Sequence, residues 1–551
     1  MSFTKNNLIN RICTGIFSAM IAACLFTSCP DDTEKEFSTN ALSAKIAQAE
    51  AEKKNVVASA DGDVPIINLW VSTEVMNNFN AAINKAKGVL DNHDSQIVLD
   101  STADELDGAI LEFRQAKKTS ARKLTITLGM YKEVDNEGDL HDGYADKFKK
   151  SFPNITVNYV DFPYDGMEEF EKAVNKNIVP TIFDTYFTEP QEMIKKGYVK
   201  DITSMIKTMG YDTKMNPAVL ELLSKGGKIY GIPRDSYAMG IYVNIDLFRK
   251  AGLVTDGVPL YPKTWAELVT ISKTIKEKTG KPGFVLLANT DYNFAGWQFS
   301  NIAWSFGVEF VVQQSDSMNA QVNTPQALAA LQYVRDLKWV HDIITDDPTN
   351  EGWVSGFEHI GKGSAAMYMG ANDAVDQFVQ YNLPLQDLAL IPIPAGPNGR
   401  RHSLGGGTIY MFSADATDDQ AAAAMLFLAV MGRVPEVQED VIKGLRDRAQ
   451  KRKNNGVPVI PDPPVWTDTA YLNAVQNIID EFANVDMRLY KDYFDALTEP
   501  GYLKNEPPAA QALYAALSAA VKEVIENEHA DLKSLLETAQ NEYQSALNAL
   551  D

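Results

Sequence analysis

Beyond residue 29 this 551-residue chain has no cysteine; Cys13, Cys24 and Cys29 are all it contains. The remainder can form no internal disulfide and no thiolate metal site. Positive charge is also scarce. Lys and Arg total 51 against 73 Asp and Glu, a net charge of −22, and an acidic surface opposes the phosphates of nucleic acid. The one basic run, RDRAQKRK at 446–453, is short and isolated and reads as a solvated helix end. After residue 26 no apolar run approaches the ~20 residues needed to span a bilayer. Catalytic signatures are missing too: there is no G-x-S-x-G, and the six histidines form no H-E-x-x-H.

What is present begins at the N-terminus. Lys5 and Arg11 accompany an apolar run, 12–26, of secretory-signal length. It ends in LFTSC, 25–29, followed by PDDTEKE. Small residues before a cysteine and polar sequence after it resemble a bacterial lipoprotein signal. That resemblance implies acylation of Cys29, which becomes the mature N-terminus. Phe26 departs from the usual leucine. IAAC, 21–24, fits the pattern more strictly, but cleavage there leaves Leu25 and Phe26 at the mature end. A transmembrane anchor retained whole is the competing reading. Residues 1–29 are thus read as signal peptide and 30–41 as a polar tether.

The chain is too long for one core, so two or more domains are expected. Leu42, Ile46 and Ala49 open a helical pattern, broken by DGDVP at 61–65. Ser72 or Thr73 caps a second helix with a stripe of Val75, Phe79, Ala82, Ile83, Ala86 and Leu90. A third stripe runs through Leu99, Ala103, Leu106, Ile110 and Phe113. Together they predict a small antiparallel bundle. LSAKIAQAE, FNAAINKAKGVLDN and LDSTADELDGAILEF resemble the FIVAR module of extracellular bacterial proteins, over 42–118. The resemblance implies an accessory module, either a glycan binder or a helical spacer.

A joint is expected at 119–122, and after it the texture changes. KLTITLG (123–129), ITVNYVDF (155–162) and PTIFDTYF (180–187) read as strands, with helices between them. Such alternation predicts a parallel sheet with helices on its faces. Ligands of such sheets lie beyond the carboxyl ends of the strands, which points to the loops starting at Met130 and Asp184. From about residue 410 the pattern is mostly helical, with Ala421–Met431 as buried helix.

GGKIYGIPRDSYAMGIYVNIDLFRKAGL (226–253), followed by YPKTWAELV (261–269), carries a second resemblance. These residues are similar to the family 1 extracellular solute-binding proteins, the sugar-binding group of ABC importers. The matching run includes Gly231, Pro233, Tyr242, Asn244, Asp246, Gly252, Thr264, Trp265 and Leu268. The resemblance spans roughly 122–551. It implies a two-lobed α/β fold of the periplasmic-binding-protein type, with a hinge and an interlobe cleft, preceded here by the small all-α module. The implied lobes are about 122–234 with 366–410, and about 240–365 with 411–551. Implied partners are a carbohydrate and importer permease subunits, on a lipid-anchored, extracytoplasmic monomer. No cofactor and no catalytic residue is implied.

A sugar offers apolar ring faces and a rim of hydroxyls, which suit aromatic planes and polar planar groups respectively. On the implied cleft loops the candidates are Tyr131 and Glu133, then Asp184, Tyr186 and Thr188. Arg234, Asp235 and Tyr237 follow on the first crossing, Tyr292 and Trp297 in DYNFAGWQF, and Asn372 and Asp373 after MYMG. Gly406 marks a second crossing, where backbone is expected to approach ligand closely. Each has a bland alternative: Trp297 as core, Asp235 as the partner of Arg234. Trp304 is expected in the core. Asn372 stands where many relatives have a tryptophan.

Two other patterns are excluded by spacing. GFEHIGKGSAAMYMG, 356–370, begins like a phosphate loop, but Gly363 takes the place of the required Ser or Thr after Lys362. It matches the solute-binding family's own run, with Lys362 as a solvated turn residue. EVDNEGDLHDGY, 133–144, puts Tyr144 where a calcium loop needs a bidentate Glu. A glycosidase needs only two carboxylates, which no motif tests. A polysaccharide-active enzyme therefore stands as the alternative reading, with a glycan-binding surface lipoprotein outside transport as another.

Overall fold

The computed structural model describes residues 37–550, apart from 94, 131–133, 136–137, 163–165, 315–316 and 438. The signal segment with Cys24 and Cys29 lies outside the described residues, as do Tyr131 and Glu133. The described chain folds as two compact units. The first comprises residues up to 183, 202–211 and 412–444; the second comprises 184–201, 212–411 and 445 onward.

The first unit opens with helices α1 (Asn40–Glu52), α2 (Thr73–Asp91) and α3 (Gln96–Ala116). Each obeys the spacing read from sequence. Leu42, Ile46 and Ala49 are buried on α1, Phe79, Ile83 and Ala86 on α2, and Leu99, Leu106, Ile110 and Phe113 on α3. Ser72 caps α2 by accepting from Val75 N, and Ser95 caps α3 by accepting from Val98 N, both at 3.3 Å. Phe79 stacks on Phe113 with centroids 4.0 Å apart. Strands β1 (Val56–Ala58), β2 (Leu69–Val71) and β3 (Lys118–Thr119) form a small sheet that the sequence reading lacks. Segments of two or three residues are too short for a period to show.

The expected joint is a built mount. Ala121 N donates to Gly62 O at 2.9 Å and Ser120 Oγ to Val64 O at 2.5 Å. Arg122 reaches Asp63 at 2.6 Å and Asp419 at 2.7 Å, while Asp419 also accepts Ile66 N at 2.8 Å. The bundle is thereby tied to the α/β part of the same unit. That part has strand β4 (Leu124–Gly129), helix α4 (Leu140–Ser151), strand β5 (Ile155–Tyr159), helix α5 (Met167–Asn175) and strand β6 (Ile182–Tyr186). β4 pairs in parallel with β5 and with the start of β6, as predicted. The Asp418–Val430 helix packs Phe427 against Phe148 and Tyr159.

The second unit is organised by β7 (Gly231–Asn244), a 14-residue strand. Among its other elements are α6 (Trp265–Thr279), α7 (Phe294–Ser305), α8 (Trp353–Gly361), β8 (Met367–Ala371), β9 (Leu388–Ile391), β10 (Ser403–Phe412), α9 (Ala510–Glu526) and α10 (Leu532–Leu550). The first half of β7 pairs antiparallel with β10; the second half pairs with β8 and β9. Thr264 caps α6 by accepting from Glu267 N at 3.1 Å, and Trp265 and Leu268 are buried behind it, as expected. Helix α7 is buried from Ala295 to Ser305, Trp304 included. Gly296 permits this depth, because a Cβ there would lie 2.1 Å from Tyr514 O on α9.

These units divide the chain differently from the expected lobes. Residues 366–410 belong with the second unit, because β8 and β9 both pair with the far half of β7. Residues 412–444 belong with the first, where the Asp418–Val430 helix covers the parallel sheet. Spacing alone carries no information about which sheet a late segment joins.

Candidate functional site

Construction of the site starts at a bulge. Pro233 pairs with Ile409 and Asp235 with Thr408, so Arg234 is an extra residue in β7. A bulge re-aims the side chain it carries. Arg234 Nη1 lies 2.8 Å from Asp184 Oδ2, and its Nε lies 3.3 Å from Asp235 Oδ2. Asp184 is buried in the middle of β6, and Asp235 Oδ1 accepts Thr408 N at 3.2 Å. The three charged candidates thus brace one another and the β7–β10 ladder, as the bland reading of Asp235 proposed.

Three residues on, Tyr237 lies opposite Gly406. A Cβ at Gly406 would come within 2.3 Å of Tyr237 Cζ and Oη. Gly406 therefore makes room for the tyrosine ring, a close approach within the protein. Beyond Tyr237 the rings continue as a string. Tyr237 and Trp297 have centroids 6.1 Å apart, Trp297 and Phe294 6.0 Å, and Phe294 and Tyr292 6.1 Å. It begins at half-buried Tyr237, passes through Trp297 at 9% exposure, and ends at Tyr292 at 81%. Trp297 proves to be both core residue and member of this string. Tyr292 and Asn293 hold φ of 54° and 62°, a left-handed backbone that side chains disfavour. Asn293 Nδ2 is fastened to Gln511 Oε1 at 3.2 Å.

Carboxylates gather around the inner end. Asp373 is pushed up to about 7, first by burial and then by Asp235, Asp462 and Asp376. Asp373 is nonetheless an exposed residue, so the raising by the three neighbouring carboxylates is the firmer part of its shift. Glu506 is also raised to about 7, by burial above all and by Glu189, against the hydroxyl of Tyr514 that donates to it. Tyr237 itself is pushed well up, by burial first and then by Glu506 and Asp373.

The other candidates divide. Tyr186 is 44% exposed and close enough to influence Tyr237. Thr188 turns its hydroxyl to Glu189 at 3.2 Å. Asn372 is a brace, 1% exposed: its amide oxygen accepts Ala238 N at 2.9 Å and Tyr493 Oη at 3.2 Å, and its nitrogen donates to Asp462 at 3.0 Å. The sequence reading missed Glu506, Tyr514, Asp462 and Phe294. Phe294 stood within the quoted DYNFAGWQF; Glu506, before Pro507 and Pro508, had no local signal.

One array bears on the enzyme alternative. His359 Nδ1 lies 2.8 Å from Ser364 Oγ, and its Nε2 lies 2.9 Å from buried Glu351. The order is that of nucleophile, base and orienter. The nearby amides are spent, however: Ser364 N and Ala365 N both donate to His359 O, and Gly363 N donates to Ile360 O. No oxyanion donors are left at that turn, and the array reads as a clasp on the turn after α8. Lys362 is exposed there, as predicted, and also pairs with Glu358. Among the described residues, no three His, Cys, Asp or Glu side chains converge as metal ligands.

The architecture is that of the two-lobed, periplasmic-binding-protein-like α/β fold. Maltose-bound MalE3 of T. maritima matches with a TM-score of 0.56 at 19% identity, covering 78% of this chain and 100% of that one. A chitin oligosaccharide binding protein matches with a TM-score of 0.58 at 18% identity, covering 78% and 99%. Residues 136–435 match the family of bacterial extracellular solute-binding proteins, and the chain belongs to that family. In sequence it is 25% identical over 276 residues to the arabinooligosaccharide-binding protein of Bacillus subtilis (strain 168), covering 48% of this chain and 59% of that protein.

Proposed function

We propose that this chain captures an oligosaccharide outside the cytoplasm and delivers it to an ABC importer. The observation that carries the reading is the aromatic string from Tyr237 through Trp297 and Phe294 to Tyr292, bordered by carboxylates. Ring faces stack on sugar faces, and carboxylates accept the rim hydroxyls. Sugar-binding relatives in the same family support the choice of ligand class.

Tyr186, Asp373 and Tyr237 contact ligand in this reading, while Asp184, Arg234, Asp235 and Asn372 position the wall. Acylated Cys29 tethers a monomer to the membrane, and the FIVAR-like bundle spaces the solute-binding part from it. Melting-temperature screening against mono- and oligosaccharides tests the proposal, since a ligand of the folded state must stabilise it. A saccharide shift with the ligand recovered unchanged is expected. A silent saccharide panel beside a peptide or polyamine hit overturns the sugar assignment, and a cleaved saccharide overturns transport in favour of turnover.

A further inference from the structure

The helical bundle has two unlike ends. At one end Glu52, the last residue of α1, pairs with Arg114 and Lys117 at the close of α3, each at 2.6 Å. The mount at 119–122 follows directly. At the other end the chain before α1 is tied to the first turn of α3. Ser38 N donates to Gln96 Oε1 at 2.8 Å, and Gln96 Nε2 donates to Ser38 O at 3.2 Å. Phe37 meets His93 edge to face, with centroids 5.9 Å apart. The chain therefore enters the bundle at the end remote from the mount. The 21 residues of α3 separate the two ends by about 30 Å. Exposed apolar side chains mark the remote end. Ile97, in the first turn of α3, is 80% exposed, the highest of the large aliphatic side chains among the described residues, and Val98 beside it is 37% exposed. Phe37 and Leu90 of the same end are half-buried. No Lys or Arg occurs in 37–43 or 88–100, while Asp91 and Asp100 are exposed there. Lys87, just before, is taken up by Glu50 at 2.6 Å. Such an end has no cation to offer anionic lipid, and only an apolar contact to offer a neutral surface.

What covers this end follows from where the chain leads. Seven residues, 30–36, separate Cys29 from Phe37, and a chain of that length spans at most about 25 Å. We infer that the remote end of the bundle is a lipid-facing foot, on which Ile97 and Val98 rest in the headgroup layer of the membrane that acylated Cys29 enters. The inference rests on the anchoring part of the proposal above and names the surface that the anchored chain touches. Two aliphatic side chains are too little to hold a protein on lipid from solution. A short tether supplies the missing concentration, so the same contact persists on an anchored chain. With the foot on lipid, the mount stands off the membrane by about the length of α3, roughly 30 Å. The buried Glu52, Arg114 and Lys117 cluster then stiffens the end that carries the load of the solute-binding part.

The test uses the full chain, produced with its signal and reconstituted from the host membrane into phosphatidylcholine vesicles. No cysteine follows Cys29, so Ser101→Cys and Leu111→Cys each supply one free thiol for a polarity-sensitive fluorophore. Both positions are exposed on α3; residue 101 lies one turn beyond Ile97, and residue 111 about 15 Å further toward the mount. With a nitroxide quencher carried near the lipid headgroups, emission at 101 should fall at least twofold more than emission at 111. Ile97→Asp should return position 101 to the level of 111. Aspartate is favoured in the first turn of a helix, so this variant keeps the bundle folded. A wild-type chain that does not float with the vesicles overturns the anchor reading and the foot with it. Flotation with equal quenching at 101 and 111, or quenching at 101 that survives Ile97→Asp, overturns the foot and leaves the anchor standing. Quenching seen only when phosphatidylglycerol is added overturns an apolar contact. A blue shift at 101 that grows with the protein-to-lipid ratio, without quenching, puts a second copy of the chain on Ile97 and likewise overturns the foot.

Discussion

Two glutamates of this protein are taken from water in opposite ways. Glu52, in the helical bundle, is 3% exposed and held between Lys117 at 2.6 Å, itself fully buried, and Arg114 at 2.6 Å. Glu506 accepts from the Tyr514 hydroxyl and faces another carboxylate, Glu189. Desolvation and a like charge favour the protonated form of Glu506. The first arrangement is suited to fixing a structure. The second leaves a group that changes charge near neutral pH, beside an aromatic wall.

The comparison breaks most readily at the bundle. Lys117→Met leaves buried Glu52 with the partly exposed Arg114 as its one remaining cation, and urea unfolding should show a loss of about 3 kcal/mol, the low end for a broken buried pair. A loss under about 1 kcal/mol would mean that water reaches Glu52 freely. Next in size is the pH response of Glu506. Between its ordinary 4.5 and its raised value near 7, the folded state keeps a proton that the unfolded chain has released. Stability therefore falls as pH rises through that window, by up to about 1.4 kcal/mol per pH unit for one proton. Asp373 adds a change of the same sign. Glu506→Gln should flatten the profile and raise the melting temperature at pH 8 above wild type; an unchanged slope would place the titration elsewhere.

Smaller effects sharpen the contrast. Tyr292→Ala, at a position 81% exposed, should cost about 1 kcal/mol of saccharide binding and leave the melting temperature unchanged. Trp297→Ala is a poorer probe, because at 9% exposure its loss also opens the core. Smallest is Arg122→Ala. The pairs to Asp63 and Asp419 are partly solvated, so the expected loss is below about 1 kcal/mol. Cleavage by trypsin around 117–123 should nonetheless quicken as the mount loosens. Unchanged cleavage would show that the Ser120 and Ala121 hydrogen bonds suffice.

Much of this was legible in the chain. Leu42, Ile46, Phe79, Ile83, Leu106 and Phe113 declare three helical faces through their spacing, and the structure buries all of them. The strand–helix alternation after residue 123 declares the parallel strands β4, β5 and β6. Tyr237, Tyr292 and Trp297 could be named as candidates because aromatic residues lay on expected loops. Their continuity could not be read, since Phe294 joins them through ring positions that depend on the left-handed turn at Tyr292 and Asn293. The packing of Gly406 and Asn372 could not be read for a related reason. Each serves a neighbour far away in sequence, Tyr237 in one case and Tyr493 and Asp462 in the other.

By itself the sequence determined the local elements, the family and the inventory of side chains from which a sugar site could be drawn. Periodicity, caps and motif spacing act over a few residues, so they survive in a one-dimensional text. Tertiary structure alone decided which acids are braces and which are poised to titrate. Asp184 and Asp373 read alike as letters. The bulge at Arg234 gives the first a cation at 2.8 Å, and the fold surrounds the second with Asp235, Asp462 and Asp376. Charge state depends on distance and dielectric, and both are set only when remote segments pack together.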